Sequence, residues 1–163
     1  MSLLIGCGSF FGLRISDLLT LTWSMLLDNE KFVITEQKTG KRREIRVNCN
    51  FQKHIADCYK SLGVVDKNEK CFLSRKRTVY STQRINVLFK SMKSKYNLKI
   101  EHFSTHSMRK TFGRQVVEAA GENSEFALIK LSELFNHADI QTTRRYLGLR
   151  SQELLETYDM LNF

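Results

Sequence analysis

LFNHADIQTTRRYLGL, residues 134–149, decides how the second half of this chain folds. Tyr146 stands nine positions after His137. On one continuous helix, nine steps of about 100° would put the two side chains roughly 180° apart. They share a face only if the helix breaks between them. Asp139 is suited to break it, because an N-cap carboxylate accepts from the first orphan amides of a following helix. That helix, IQTTRRYL, would stop near Gly148 and leave His137 on the preceding turn. Upstream, THSMRKTF at 105–112 sets His106 and Arg109 three positions apart, so a helix would turn both toward one ligand.

The chain has no proline, so boundaries come from periodicity and glycine. Residues 2–27 read as helical, with a break near Gly12 and apolar positions at Leu18, Leu21, Trp23, Leu26 and Leu27. KFVITEQKTGKRREIRV, residues 31–47, alternates instead. Phe32, Ile34 and Glu36 project one way, and Val33, Thr35 and Gln37 project the other. A turn at Thr39-Gly40 returns the chain through Ile45 and Val47, which predicts a β-hairpin. CFLS at 71–74 could add a third strand. Helical patterns resume at 51–62, 81–96, 106–119, 124–135, 139–147 and 151–161, and Leu128, Leu131, Leu134 and Phe135 form a core-facing stripe. The predicted fold is mainly α with a small antiparallel sheet, an α+β domain.

Composition bounds the function classes. A chain of 163 residues fits a single domain with its own core, and 42% apolar with 26% charged residues is ordinary for a globular protein. Lys and Arg number 26 against 17 Asp and Glu, a formal charge of +9, which favours a polyanionic partner. The opening MSLLIGCGSFFGL lacks a basic start and soon meets Arg14 and Asp17, so it does not read as a secretory signal. An intracellular, cytoplasmic protein is expected. Cys7, Cys49, Cys58 and Cys71 show no CxxC pairing; Cys49, His54 and Cys58 only loosely imitate ligand spacing, and reduced, partly buried thiols are the reading preferred to zinc.

Four ordered blocks carry a resemblance across nearly the whole chain. FGLRISDLLTLTW (11–23), EQKTGK (36–41), THSMRKTF (105–112) and LFNHADIQTTRRYLGL (134–149) resemble the first-arginine, hairpin-lysine, His-x-x-Arg and His-to-Tyr boxes of the tyrosine recombinases, the phage-integrase family of site-specific DNA recombinases. The resemblance implies that family's catalytic-domain fold and DNA strand cleavage and rejoining. It implies that Arg14 and Arg109 hold the scissile phosphate, that His106 and His137 hydrogen-bond it and help move protons, and that Tyr146 attacks. Lys38 would protonate the leaving 5′-oxygen, with Lys41 as the alternative. The product is a 3′-phosphotyrosyl link and a free 5′-hydroxyl, with no metal or other cofactor. Type IB topoisomerases share this chemistry and rejoin the original strands, and a non-catalytic DNA-binding module is the third reading.

The residue types suit that chemistry independently. Charge builds on a phosphodiester in its transition state, and planar guanidinium forks match several oxygens at once. A tyrosine hydroxyl, with a reference pKa of about 10, needs its proton drawn off, and the alkoxide leaving group needs an acid. Each assignment has a plainer competitor. Arg14 could be a helix-end cation, His106 a satisfied core histidine, and the hairpin cations a solvated turn. His54 and His102, outside the blocks, keep a structural reading, as do Tyr59, Tyr80, Tyr96 and Tyr158. Asn136 replaces the glycine usual in the last box and tolerates left-handed backbone, so the turn should survive.

Double-stranded DNA is the expected partner, met by Lys41, Arg42, Arg43, Arg75, Lys76, Arg77, Arg144 and Arg145. The resemblance also implies self-association into a synaptic tetramer on DNA, with an amphipathic segment at 152–163 docking in cis or on a neighbouring protomer. It further implies core-binding and arm-binding domains ahead of Arg14, so the sequence reads as a fragment.

Overall fold

A computed structural model describes residues 1–149 together with Leu155, Tyr158 and Asp159. The helix expected over 151–161, and the docking of 152–163, otherwise lie outside the described residues. The chain divides into two compact units, Met1–Arg109 and Lys110–Phe163, each with its own apolar cluster.

In the first unit, α1 (Ser2–Phe11) ends at Gly12, whose left-handed backbone (φ 58°) lets the chain turn without a side-chain clash. Two short helices follow, α2 (Ile15–Leu18) and α3 (Trp23–Leu27), so the helical stretch predicted over 2–27 breaks where glycine marked it and once more before Thr22, the N-cap of α3. Strands β1 (Lys31–Thr35) and β2 (Arg42–Arg46) then pair antiparallel, with Phe32 opposite Ile45 and Ile34 opposite Arg43. Phe32, Ile34 and Glu36 all turn inward, as the alternation requires. No third strand joins them among the described residues: Leu73 makes only an isolated bridge to Val79, and Lys70 another to Thr22. The two bridges belong to a looped segment that pairs one residue at a time.

Helix α4 (Cys49–Leu62) is capped by Asn48, and α5 (Thr82–Lys95) by Ser81. Both bury one apolar stripe, Phe51 and Ile55 on the first, Ile85 and Phe89 on the second. Their cluster includes Trp23, Leu18 and Leu21. Cys7 and Cys71 are buried free thiols; burial pushes the Cys71 thiol up to about 12 and raises Cys7 as well, so both stay protonated. Met108, near the start of α6 (Thr105–Ala120), closes this core against Gly8 of α1.

In the second unit, α6 continues through Phe112, Val116 and Val117 into a cluster with α7 (Ser124–Phe135) and α8 (Ile140–Leu147). Leu128, Leu131, Phe135 and Leu147 are its buried centre. No helix among the described residues is long and apolar enough to cross a membrane.

The Gly8 contact yields a test. A methyl at Gly8 would meet the Met108 Sδ at 2.5 Å and its Cβ at 2.7 Å, and a Cβ cannot swing aside as a side-chain tip can. Alanine favours a helix over glycine by roughly 1 kcal/mol, while overpacking costs about 1–3 kcal/mol. Gly8→Ala should therefore lower the urea midpoint of unfolding. A raised midpoint would show that α1 and Met108 are not packed this closely.

Candidate active site

The first unit gathers the cations around the end of α1. The last carbonyls of a helix lack intrahelical donors, and α1 has no basic residue in its own last turn. Arg43 Nη2 donates to the Phe11 carbonyl (2.6 Å), and Arg109 Nη1 donates to the Gly12 carbonyl (2.7 Å). Arg109, only 5% exposed, is thereby brought beside the segment that carries Arg14. His106, one turn earlier on α6, is exposed. The i, i+3 spacing thus places the pair on one helix, with the arginine inside and the histidine at its edge.

Arg14 lies in extended backbone just before α2 and donates through Nη1 to Glu36 Oε2 at 2.7 Å. Glu36 is 4% exposed and faces Arg43 Nη1 at 3.5 Å through its other oxygen. Thr39 donates its hydroxyl to the same carboxylate (2.9 Å). Burial alone would raise the Glu36 pKa; the hydrogen bonds from Thr39 and Arg14 and the charges of Arg14 and Arg43 outweigh it and hold the carboxyl below the ordinary glutamate value. Burial lowers the Arg43 pKa, and Glu36 opposes that shift. Asp17, buried on α2, accepts from the Gln37 amide at 2.8 Å. Lys38 therefore sits exposed at the tip of a turn held on both sides, with Lys41 exposed just beyond it.

The second unit places His137 and Tyr146 together. Helix α7 ends on Asn136 in left-handed backbone (φ 54°, ψ 49°), and α8 starts on Asp139, whose carboxylate accepts from the Thr142 amide at 2.6 Å. That hydrogen bond lowers the Asp139 pKa. The helix break expected between His137 and Tyr146 is present and is made by the Asn136 backbone and the Asp139 side chain. The His137 and Tyr146 rings meet edge to face at 5.3 Å between centroids, and Phe135 packs on the tyrosine at 5.7 Å. Thr143 Oγ1, fully buried, lies 2.9 Å from His137 Nδ1 and fixes the ring's orientation. Lys110 Nζ stands 5.5 Å from the centre of the Tyr146 ring.

The other cations divide. Lys41, Arg42, Arg75, Lys76 and Arg145 are exposed. Arg77 is exposed too and pairs with Glu69, while Arg43 is turned inward as described and the half-buried Arg144 pairs with Glu125. Arg43 is the clearest difference from the sequence expectation, which grouped it with its solvated neighbours. Ile34 opposite it shows why, since this register position lies on the buried face of the hairpin. Glu36, Asp17, Thr143 and Lys110 were not singled out by sequence. Glu36 left a signal, as the polar member of an apolar face; the others left none.

A two-stranded hairpin among these helices is the fold of tyrosine-recombinase catalytic domains. Superposition on a XerA recombinase structure gives a TM-score of 0.69 at 19% identity, covering 97% of this chain and 57% of that one. A XerH site-specific recombinase bound to palindromic difH substrate, a post-cleavage complex, gives 0.66 at 21% identity, covering 97% and 44%. The chain belongs to the phage integrase family, whose profile matches residues 7–153. It is 29% identical over 137 residues to the probable integrase/recombinase YoeC of Bacillus subtilis (strain 168), covering 84% of this chain and 71% of that relative. To the tyrosine recombinase XerC of Xanthomonas campestris pv. campestris (strain B100) it is 26% identical over 148 residues, covering 91% of this chain and 44% of XerC. The chain thus spans less than half the length of that relative.

The lowered Glu36 pKa has a definite sign in stability. A depressed folded value contributes stability that is complete above the unfolded glutamate value of about 4.3 and is lost as pH falls through the folded value. Glu36→Gln should make the loss of stability below that pH shallower, measured by urea unfolding across an acid series. An unchanged acid limb would mean that Glu36 is not tied as described.

Proposed function

We propose that this protein is a site-specific DNA recombinase that cuts and rejoins strands through Tyr146. The tyrosine oxygen attacks the scissile phosphorus as the bond to the 5′-oxygen breaks, giving a 3′-phosphotyrosyl link. The tyrosine proton leaves to a base, for which His106 and His137 are the candidates, and Lys38 supplies a proton to the departing 5′-oxygen. Arg14 and Arg109 stabilise the charge on the non-bridging oxygens. Attack by a 5′-hydroxyl from another strand reverses the step and releases Tyr146, so no external energy source is required. All six residues act in one reaction on duplex DNA, carried out in a synaptic tetramer.

The observation that carries this reading is the break at Asn136–Asp139, which puts the His137 and Tyr146 rings in contact. A helix without that break would separate them. Family membership supports the reaction class, and the charge of +9 with six exposed cations from the expected set supports the DNA partner.

On a nicked suicide duplex of its own site, the protein should form a covalent adduct that disappears in Tyr146→Phe. Adduct persisting in that variant would remove Tyr146 from the role, and its absence with a full-length protein that carries this domain and its DNA-holding domains would favour a DNA-binding module. Relaxation of supercoiled plasmid without strand exchange would move the assignment to topoisomerase chemistry. Thr143→Val keeps the side chain's shape and removes its hydroxyl. It should slow adduct formation by about tenfold through a misplaced His137, with Thr143→Ser recovering most of the rate. Equal rates in all three proteins would exclude orientation of His137 by Thr143.

A further inference from the structure

We propose that Glu36 is a positioning residue that ties Arg14 and the Lys38-bearing turn into one piece, so that the phosphate clamp and the leaving-group acid are set together. This rests on the roles proposed above for Arg14 and Lys38.

Packing does not call for a carboxylate here. Glu36 continues the inner face of Phe32 and Ile34, where an apolar side chain would also be buried. Burying an ionised group is costly, and a buried ion pair commonly adds little stability over an apolar pair of the same volume. What the carboxylate adds is geometry. Its Oε2 accepts from Arg14 at 2.7 Å and from Thr39 at 2.9 Å, so a single oxygen joins the arginine to the residue following Lys38. The Glu36 backbone closes the same turn: its amide donates to the Lys41 carbonyl at 3.0 Å, and its carbonyl accepts from the Gly40 amide at 2.8 Å. On the other side of Lys38, the Gln37 amide is held by Asp17, three residues beyond Arg14. The turn is therefore fastened to the Arg14 segment both before and after the lysine. Lys38 itself makes none of these contacts and takes its position from them.

A double-mutant cycle tests the coupling, with adduct formation on the suicide duplex as the rate and thermal melting as the check on folding. Glu36→Gln preserves shape and removes the charge that holds Arg14. It should slow cleavage by about tenfold to a hundredfold, the scale of a misplaced reacting group. In the Lys38→Ala background the same change should cost clearly less, because part of its effect passes through a lysine that is gone. Thr39→Val, which leaves the Arg14 contact in place, supplies a milder variant should Glu36→Gln melt early; it should slow cleavage only when Lys38 is present. Full additivity in both cycles, or unaltered rates in Glu36→Gln and Thr39→Val, would overturn the inference while adduct from the unsubstituted protein keeps the reading of Tyr146 intact. No adduct from the unsubstituted protein, or adduct surviving Tyr146→Phe, would overturn both.

Discussion

The end of α1 is the constraint on which the first unit depends. Its terminal carbonyls at Phe11 and Gly12 are buried and need donors, and they receive them from Arg43 and Arg109, residues far along the chain. Satisfying one helix end therefore fixes the hairpin and α6 against the same turn. Two carboxylates, Asp17 and Glu36, accompany three guanidiniums, Arg14, Arg43 and Arg109, within this network. In this largely desolvated setting electrostatic attraction is stronger than in water.

In the second unit the equivalent constraint is the turn between α7 and α8. Asn136 takes the left-handed angles that end one helix, and Asp139 starts the next through an amide it must accept from. Thr143 then reaches back from α8 to His137, so the same short helix positions the ring and carries the tyrosine. The apolar side chains Phe135 and Leu147 hold this arrangement from beneath, and Gly113 allows Leu147 to approach α6 closely; a Cβ there would lie 2.5 Å from it.

Much of this was legible in the sequence, for reasons that can be stated. Helices at 105–120, 124–135 and 140–147 announce themselves by apolar spacing and caps, and the hairpin by its period of two. The residue pairs His106 with Arg109 and His137 with Tyr146 follow from local geometry once the break is recognised. CFLS has strand-like composition, yet it forms only an isolated bridge, because pairing depends on a neighbour that composition does not reveal. The inward turn of Arg43 is hidden for a similar reason: a run of basic residues looks solvated, and only its register opposite Ile34 turns one of them inside. Thr143 and Lys110 gain their significance from distance in space alone, so no pattern in the chain marks them.

Among the five tyrosines, Tyr146 is the proposed nucleophile. Its most direct test is to trap the protein on a nicked duplex, digest the protein and DNA of the purified complex, and locate the remaining nucleotide on the peptides by mass spectrometry. A 3′-linked nucleotide is expected on the phenolic oxygen of Tyr146. A nucleotide on Tyr59, Tyr80, Tyr96 or Tyr158, or on any serine, would contradict it.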